Sequence, residues 1–149
     1  MISLGIDYSM SCPAITVLDT EKPTFKNCKS YYLINTKKYD IEVQNMKGTF
    51  IQKPSDFDCQ EQRYNHISSW AMDIILAHKP DIVVLEGYAL GSSKGAVFNI
   101  AENTGLLKHK IWETGDYELL TPAPTTVKKF FAGKGNANKE SMYDVFFEQ

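Results

Sequence analysis

The chain opens with short apolar runs broken by small polar residues. Ile2–Asp7 and Ala14–Asp19 are rich in Ile, Leu and Val and are joined by Tyr8–Pro13, which predicts two strands in a hairpin. Tyr31–Asn35 predicts a third strand. Residues 36–59 are mixed in character and long for a plain connection, the usual sign of a functional or partly mobile loop, with room for a small extra hairpin. From Gln60 the period changes. Tyr64, Ile67, Ala71, Ile74, Ile75 and His78 recur three and four apart, which predicts an amphipathic helix ended by Lys79-Pro80. The run DIVVLEG from Asp81 is nearly continuous in apolar residues, the pattern of an inner strand covered on both faces. A second helix carries Val97, Ile100, Thr104, Leu107 and Ile111 on one stripe, with Gly105 inside it at a cost of roughly 1 kcal/mol relative to Ala. Tyr117–Thr121 reads as a short strand, Pro124–Phe131 as a short helix with Pro in its first turn, and Lys139–Gln149 as the start of a last helix. Early strands followed by alternating helices and strands imply a mixed α/β sheet of five strands with helices on its faces.

Composition narrows this only slightly. A length of 149 residues with 43% apolar content suits one domain, residues 1–149, around one core. The net charge of −2 offers no general attraction to a polyanion, so any nucleic-acid contact requires a local cluster of cations. Cys12, Cys28 and Cys59 are odd in number and widely spaced, which argues against a disulfide framework or a zinc site and fits a reducing cytoplasm. No signal-peptide pattern and no long apolar run is present, so neither secretion nor a membrane partner is expected.

The candidate chemistry lies at two strand ends. Asp7 and Glu86 close the two runs expected to be central, and ligands of open α/β sheets gather at that edge. If the strands are neighbours, the carboxylates repel, and either their pKa values separate or a cation lies between them. Carboxylates holding a hard octahedral ion that keeps waters for phosphate oxygens describe a magnesium site. The plainer alternative is that both acids are polar strand terminators.

The required cluster of cations is also present. No acidic residue falls between Glu118 and Glu140, where Lys128, Lys129, Lys134 and Lys139 alternate with Gly133, Gly135 and two asparagines. Such a segment suits a phosphate backbone, with an ordinary solvated loop as the alternative. Tyr88 suits stacking on an unpaired base, or packing on the helix that follows. Lys94 in GSSKG lacks the remainder of a P-loop, and His66, His78 and His109 have no ligand spacing. Trp70 and Trp112 are expected in the core or at an interface.

The segments LGIDYSMSCPAITVLD, PDIVVLEGYALG, AENTGLLKHKIWE and PTTVKKFFAGKGNANKESM, in this order, resemble the RuvC-like Holliday junction resolvases of the RNase H-like superfamily, in particular phage-type members. The resemblance spans Ile2 to Met142 except residues 20–59. It implies an RNase H-like sheet of order 3-2-1-4-5, a homodimer, and cleavage of branched DNA with two Mg²⁺ or Mn²⁺ ions in a bacterial or phage-infected cell. Asp7 matches the family's first-strand metal aspartate and Glu86 its fourth-strand glutamate. Lys128 and Lys139 match positions that contact DNA near the cleavage site. The family's stacking aromatic falls one place after Tyr88, at Ala89. Its further acids, in a D-x-x-D pattern on a final helix, would follow Gln149, and Glu140 and Asp144 sit too early to replace them. Two alternatives remain at this point: a non-catalytic RNase H-like DNA-binding protein, and a nucleotide-binding domain of the actin and sugar-kinase type.

Overall fold

The computed structural model describes residues 1–88 and 94–148, without the side chains of residues 94–96. Two strands, β1 (Ile2–Asp7) and β2 (Ala14–Asp19), form the expected antiparallel hairpin, with Ile6 opposite Ile15 and Asp7 opposite Ala14. A third strand, β3 (Cys28–Ile34), pairs antiparallel with β2. The 36–59 segment then folds back as β4 (Glu42–Val43) and β5 (Met46–Phe50), and β5 pairs parallel to β3. After α1 (Gln60–His78), strand β6 (Ile82–Leu85) lies parallel to β1. After α2 (Lys94–Thr114), β7 (Glu118–Leu120) lies parallel to β6. Two shorter helices follow, α3 (Pro124–Ala132) and α4 (Lys139–Glu148).

The sheet therefore has seven strands, in the order β4-β5-β3-β2-β1-β6-β7, where five were expected. The five expected strands keep their predicted order. The two extra strands extend the sheet beyond β3, where the segment 36–59 had been read mainly as a loop.

Side-chain alternation fixes which face is dry. Leu4, Ile6, Ile15, Val17, Val83 and Leu85 are buried with Ile67, Ala71 and Ile75 of α1 and with Leu107 and Ile111 of α2. Residues that alternate to the other face fare differently: Gly5, Asp7 and Thr16 are exposed and Ser3 is half-buried. Strand β6 follows suit, since Val83 and Leu85 are buried while Ile82 and Val84 are half-buried. Its apolar run had predicted cover on both faces, and the second face is covered only in part. The predicted stripe of α1 is buried as expected up to Ile75. His78, at its end, is half-buried, and its Nε2 lies 2.7 Å from the Tyr31 hydroxyl. Helix α1 stops because Lys79 turns into the left-handed region, with its N–H donating to the Ile75 carbonyl.

Candidate functional site

Parallel pairing of β1 with β6 sets Ile6 beside Leu85, and the Glu86 N–H donates to the Ile6 carbonyl oxygen at 3.0 Å. Asp7 and Glu86 are the next residues along these neighbouring strands. Because Ile6 and Leu85 point into the core, alternation sends both carboxylates to the face away from α1 and α2. Asp7 is exposed and Glu86 half-buried. The Glu86 carboxyl is held above the ordinary carboxylate range, first by burial and then by the negative charge of Asp7; the ammonium of Lys128 pulls it partly back. The two acids and Lys128 thus share one electrostatic environment.

Local backbone contacts bring Lys128 there. The Gly87 N–H donates to the Pro122 carbonyl oxygen at 2.8 Å, and a Cβ on Gly87 would lie 3.2 Å from that oxygen. This close approach ties the segment after β6 to the start of α3. Pro124 sits in the first turn of α3, and the Ala123 carbonyl accepts from Thr126 and Val127, so the helix rises directly from that contact and carries Lys128 on its second turn.

The connection after Asp7 is secured from the other side. Tyr8 is buried, its phenol is pushed upward by that burial, and its hydroxyl donates to Asn103 Oδ1 at 3.2 Å. Asn103 of α2 is itself buried, with its Nδ2 lacking a partner among the described residues. Arg63, the single arginine of the chain, donates from Nη2 to the Met10 carbonyl, and its buried Nε has no partner among the described residues. Burial holds the Arg63 guanidinium below its ordinary pKa. Sequence reading had passed over Arg63, although its being the only arginine was a visible signal.

The other candidate residues are spread more widely. Tyr88 is exposed, and Lys108 Nζ of α2 stands 5.6 Å from its ring centroid, a cation–π contact that covers one ring face. Lys134 is exposed just beyond Gly133, which ends α3 with a φ of 72°. Lys139 is exposed at the start of α4. Among the described residues neither Lys134 nor Lys139 forms an ion pair with the two carboxylates. Ala89 and the Lys94 side chain lie outside the described residues. Trp70 packs against the core, whereas Trp112 is exposed and its ring is 5.8 Å from that of His109.

Among the described residues, no third carboxylate, imidazole or thiol joins Asp7 and Glu86 in a group that could hold a metal. Glu140 and Asp144 are exposed on α4, whose Phe146 ring packs edge-on against Phe25 at 6.3 Å. Phe25 follows β2, at the sheet edge opposite Asp7, so α4 is directed away from the carboxylate pair.

No protein-family model and no curated protein matches the sequence. Solved structures do match. The Thermus thermophilus RuvC structure aligns with a TM-score of 0.63 at 18% identity, over 95% of this chain and 75% of that one. The same organism's RuvC in complex with a Holliday junction substrate aligns with a TM-score of 0.66 at 17% identity, over 97% of this chain and 76% of that one. The yeast mitochondrial Holliday junction resolvase aligns with a TM-score of 0.57 at 12% identity, over 98% of this chain and 60% of that one. The chain has the mixed α/β fold of the RuvC-like Holliday junction resolvases.

Proposed function

We propose that this protein is a metal-dependent, structure-selective endonuclease acting on branched DNA. The observation that carries the reading is the pair Asp7 and Glu86 at the ends of neighbouring parallel strands, with Lys128 in their field. The donor set suits a hard divalent cation, because Glu86 is held above its usual range partly by the charge of Asp7 and a cation between them would relieve that repulsion. Mg²⁺ or Mn²⁺ held there would supply Lewis-acid stabilisation of a phosphoryl oxygen and a more acidic bound water. Two carboxylates fit one such ion. A second would need ligands from water and substrate phosphate.

The chain's own groups then have distinct tasks. Asp7 and Glu86 fix the ion at the open edge of the sheet, and Lys128 offsets part of their charge so that a phosphodiester can approach. Lys134 and Lys139 extend the cationic track along the DNA backbone, with affinity but no sequence preference. The face of Tyr88 not covered by Lys108 stacks on a base unpaired at the branch. A four-way junction offers two equivalent strands for cutting, so a two-fold homodimer with one carboxylate pair per subunit suits it.

One observation favours a second reading, a DNA-binding protein without activity: the described residues bring together only two carboxylates. Incubating four-way, flap and linear DNA with Mg²⁺ or Mn²⁺ separates the two. Nicking of branched forms that Asp7→Asn removes supports the nuclease. Tight binding of branched DNA with no cleavage by wild type supports the second.

A further inference from the structure

The chain's charge is unevenly placed. At the sheet edge opposite Asp7 and Glu86, the β2–β3 connection and the β4–β5 hairpin enclose an open groove of about 850 Å³. Lys22, Lys26, Lys29 and Lys47 line it against two carboxylates, Asp19 and Glu42, in a protein whose net charge is −2. Those acids do little to neutralise it. Glu42 reaches Lys47 only at 3.9 Å with both side chains exposed, and Asp19 Oδ1 accepts from the Glu21 N–H at 3.0 Å. Among the described residues Lys22, Lys26 and Lys29 form no ion pair. Unpaired ammonium groups on one concave surface repel each other, and a bound polyanion removes that repulsion.

The groove walls are fixed. Asn27 Nδ2 donates to the Lys22 carbonyl at 3.0 Å, and Asn45 Nδ2, from the far wall, donates to the Phe25 carbonyl at 2.7 Å. The Ser30 N–H donates to the Asn45 carbonyl at 2.8 Å, which ties the hairpin to the start of β3. The backbones that carry the lysines are therefore cross-linked into one rigid cradle. Its floor holds Tyr31, hydrogen-bonded to His78.

We propose that this groove binds the phosphate backbone of a duplex arm of the branched substrate, away from the point of cleavage; the proposal rests on the function inferred above. Strand β1 runs between the two edges, and its six residues span about 17 Å at the usual rise. The groove also lies two to three strands to the side of β1, each step about 4.8 Å, which puts it about 20 Å from Asp7; at about 3.4 Å per base pair it meets phosphates about six base pairs from the strand held at Asp7 and Glu86. Spaced lysines in an open trough fit a line of phosphates. The amide nitrogens of Asn27 and Asn45 are taken up by the Lys22 and Phe25 carbonyls, so this contact recognises an arm by charge and position.

The test compares wild type with the Lys22→Gln, Lys26→Gln, Lys29→Gln triple variant on a four-way junction, using either natural DNA or DNA with neutral methylphosphonate linkages about four to seven nucleotides from the branch. These side chains are exposed or groove-lining, and an unchanged melting temperature verifies that the variant is folded. On natural DNA the variant should bind at least about tenfold more weakly near 0.1 M salt, with a salt slope shallower by up to about 0.9 per lysine. The modified junction should weaken wild type to a similar degree and the variant no further. If the variant and wild type bind natural junctions with the same affinity and slope, the groove proposal falls while the proposed function stands, and the trough serves another polyanion such as an acidic protein surface. If wild type binds no branched DNA at any salt, both fall together.

Discussion

At Glu86, function and stability oppose each other. Burial and Asp7 both favour the protonated side chain in the folded protein, so its folded pKa lies above its unfolded one. A group raised in this way contributes stability that is complete below its unfolded pKa and is lost as pH rises through the folded pKa. Glu86→Gln should therefore melt higher than wild type at neutral pH in a chelator, and the two curves should converge below about pH 4, where wild type is itself neutral. Adding Mg²⁺ should raise the melting temperature of wild type and not that of Glu86→Gln. A variant that melts lower than wild type at pH 7 without metal would show that burial and the charge of Asp7 do not together raise Glu86 in the folded protein. Asp7→Asn removes a charge and almost no volume from an exposed position, so the fold should persist while divalent-ion binding and any cleavage are lost. Losing metal assistance worth several kcal/mol corresponds to a rate loss on the order of 10³-fold. Both acids were legible in the sequence because each terminates a short apolar run. Arg63 and Asn103 were not, because their importance lies in contacts with Met10 and Tyr8 that only tertiary packing creates.

Among the elements, the hairpin β4–β5 was the least legible. Its turn puts Gln44 in the left-handed region at a φ of 54°, where Gly or Asn would have marked a tight hairpin in the sequence. Its first strand has two residues, too few for any alternation to register. The same missing partner explains why the third strand was placed at Tyr31–Asn35 when it runs Cys28–Ile34: Ser30 is ordered by pairing with both Thr16 and Met46. Gln44→Gly should be neutral or stabilising by up to about 1 kcal/mol in urea unfolding, since it relieves an unfavourable backbone conformation. Gly48→Ala should do the reverse. A methyl group there meets the Tyr39 carbonyl oxygen and the Tyr32 ring, and relief would require the backbone to move. The expected cost is about 1–3 kcal/mol, with loss of amide-exchange protection across β5. Unchanged protection would mean that the 36–41 segment gives way without cost. All four helices were legible: α1 and α2 from apolar stripes that span several turns against one core, α3 from the Pro in its first turn, and α4 from its start at Lys139.

For the whole molecule, strand order decides how many carboxylates meet. Pairing β1 with β6 unites Asp7 and Glu86 from distant parts of the chain, an arrangement that the apolar runs suggested but only the sheet establishes. The same topology keeps other acids away. Phe146 of α4 packs on Phe25 at the opposite edge, and Glu140 and Asp144 join no metal-holding group among the described residues. With two protein carboxylates, one ion is held well, whereas a second leans on water and phosphate, and Mg²⁺ tolerates poor octahedral geometry badly. Calorimetric titration of residues 1–149 with Mn²⁺ should therefore resolve one site, absent in Asp7→Asn, with the second ion bound only when DNA is added. Any cleavage by this chain should be slow and should keep rising with Mg²⁺ into the millimolar range. Glu140→Gln and Asp144→Asn should leave both the titration and the cleavage unchanged. Rapid cutting that saturates at micromolar Mg²⁺, abolished by either of those two changes, would instead require α4 to swing to the Asp7 edge when DNA binds, giving up the Phe25–Phe146 contact.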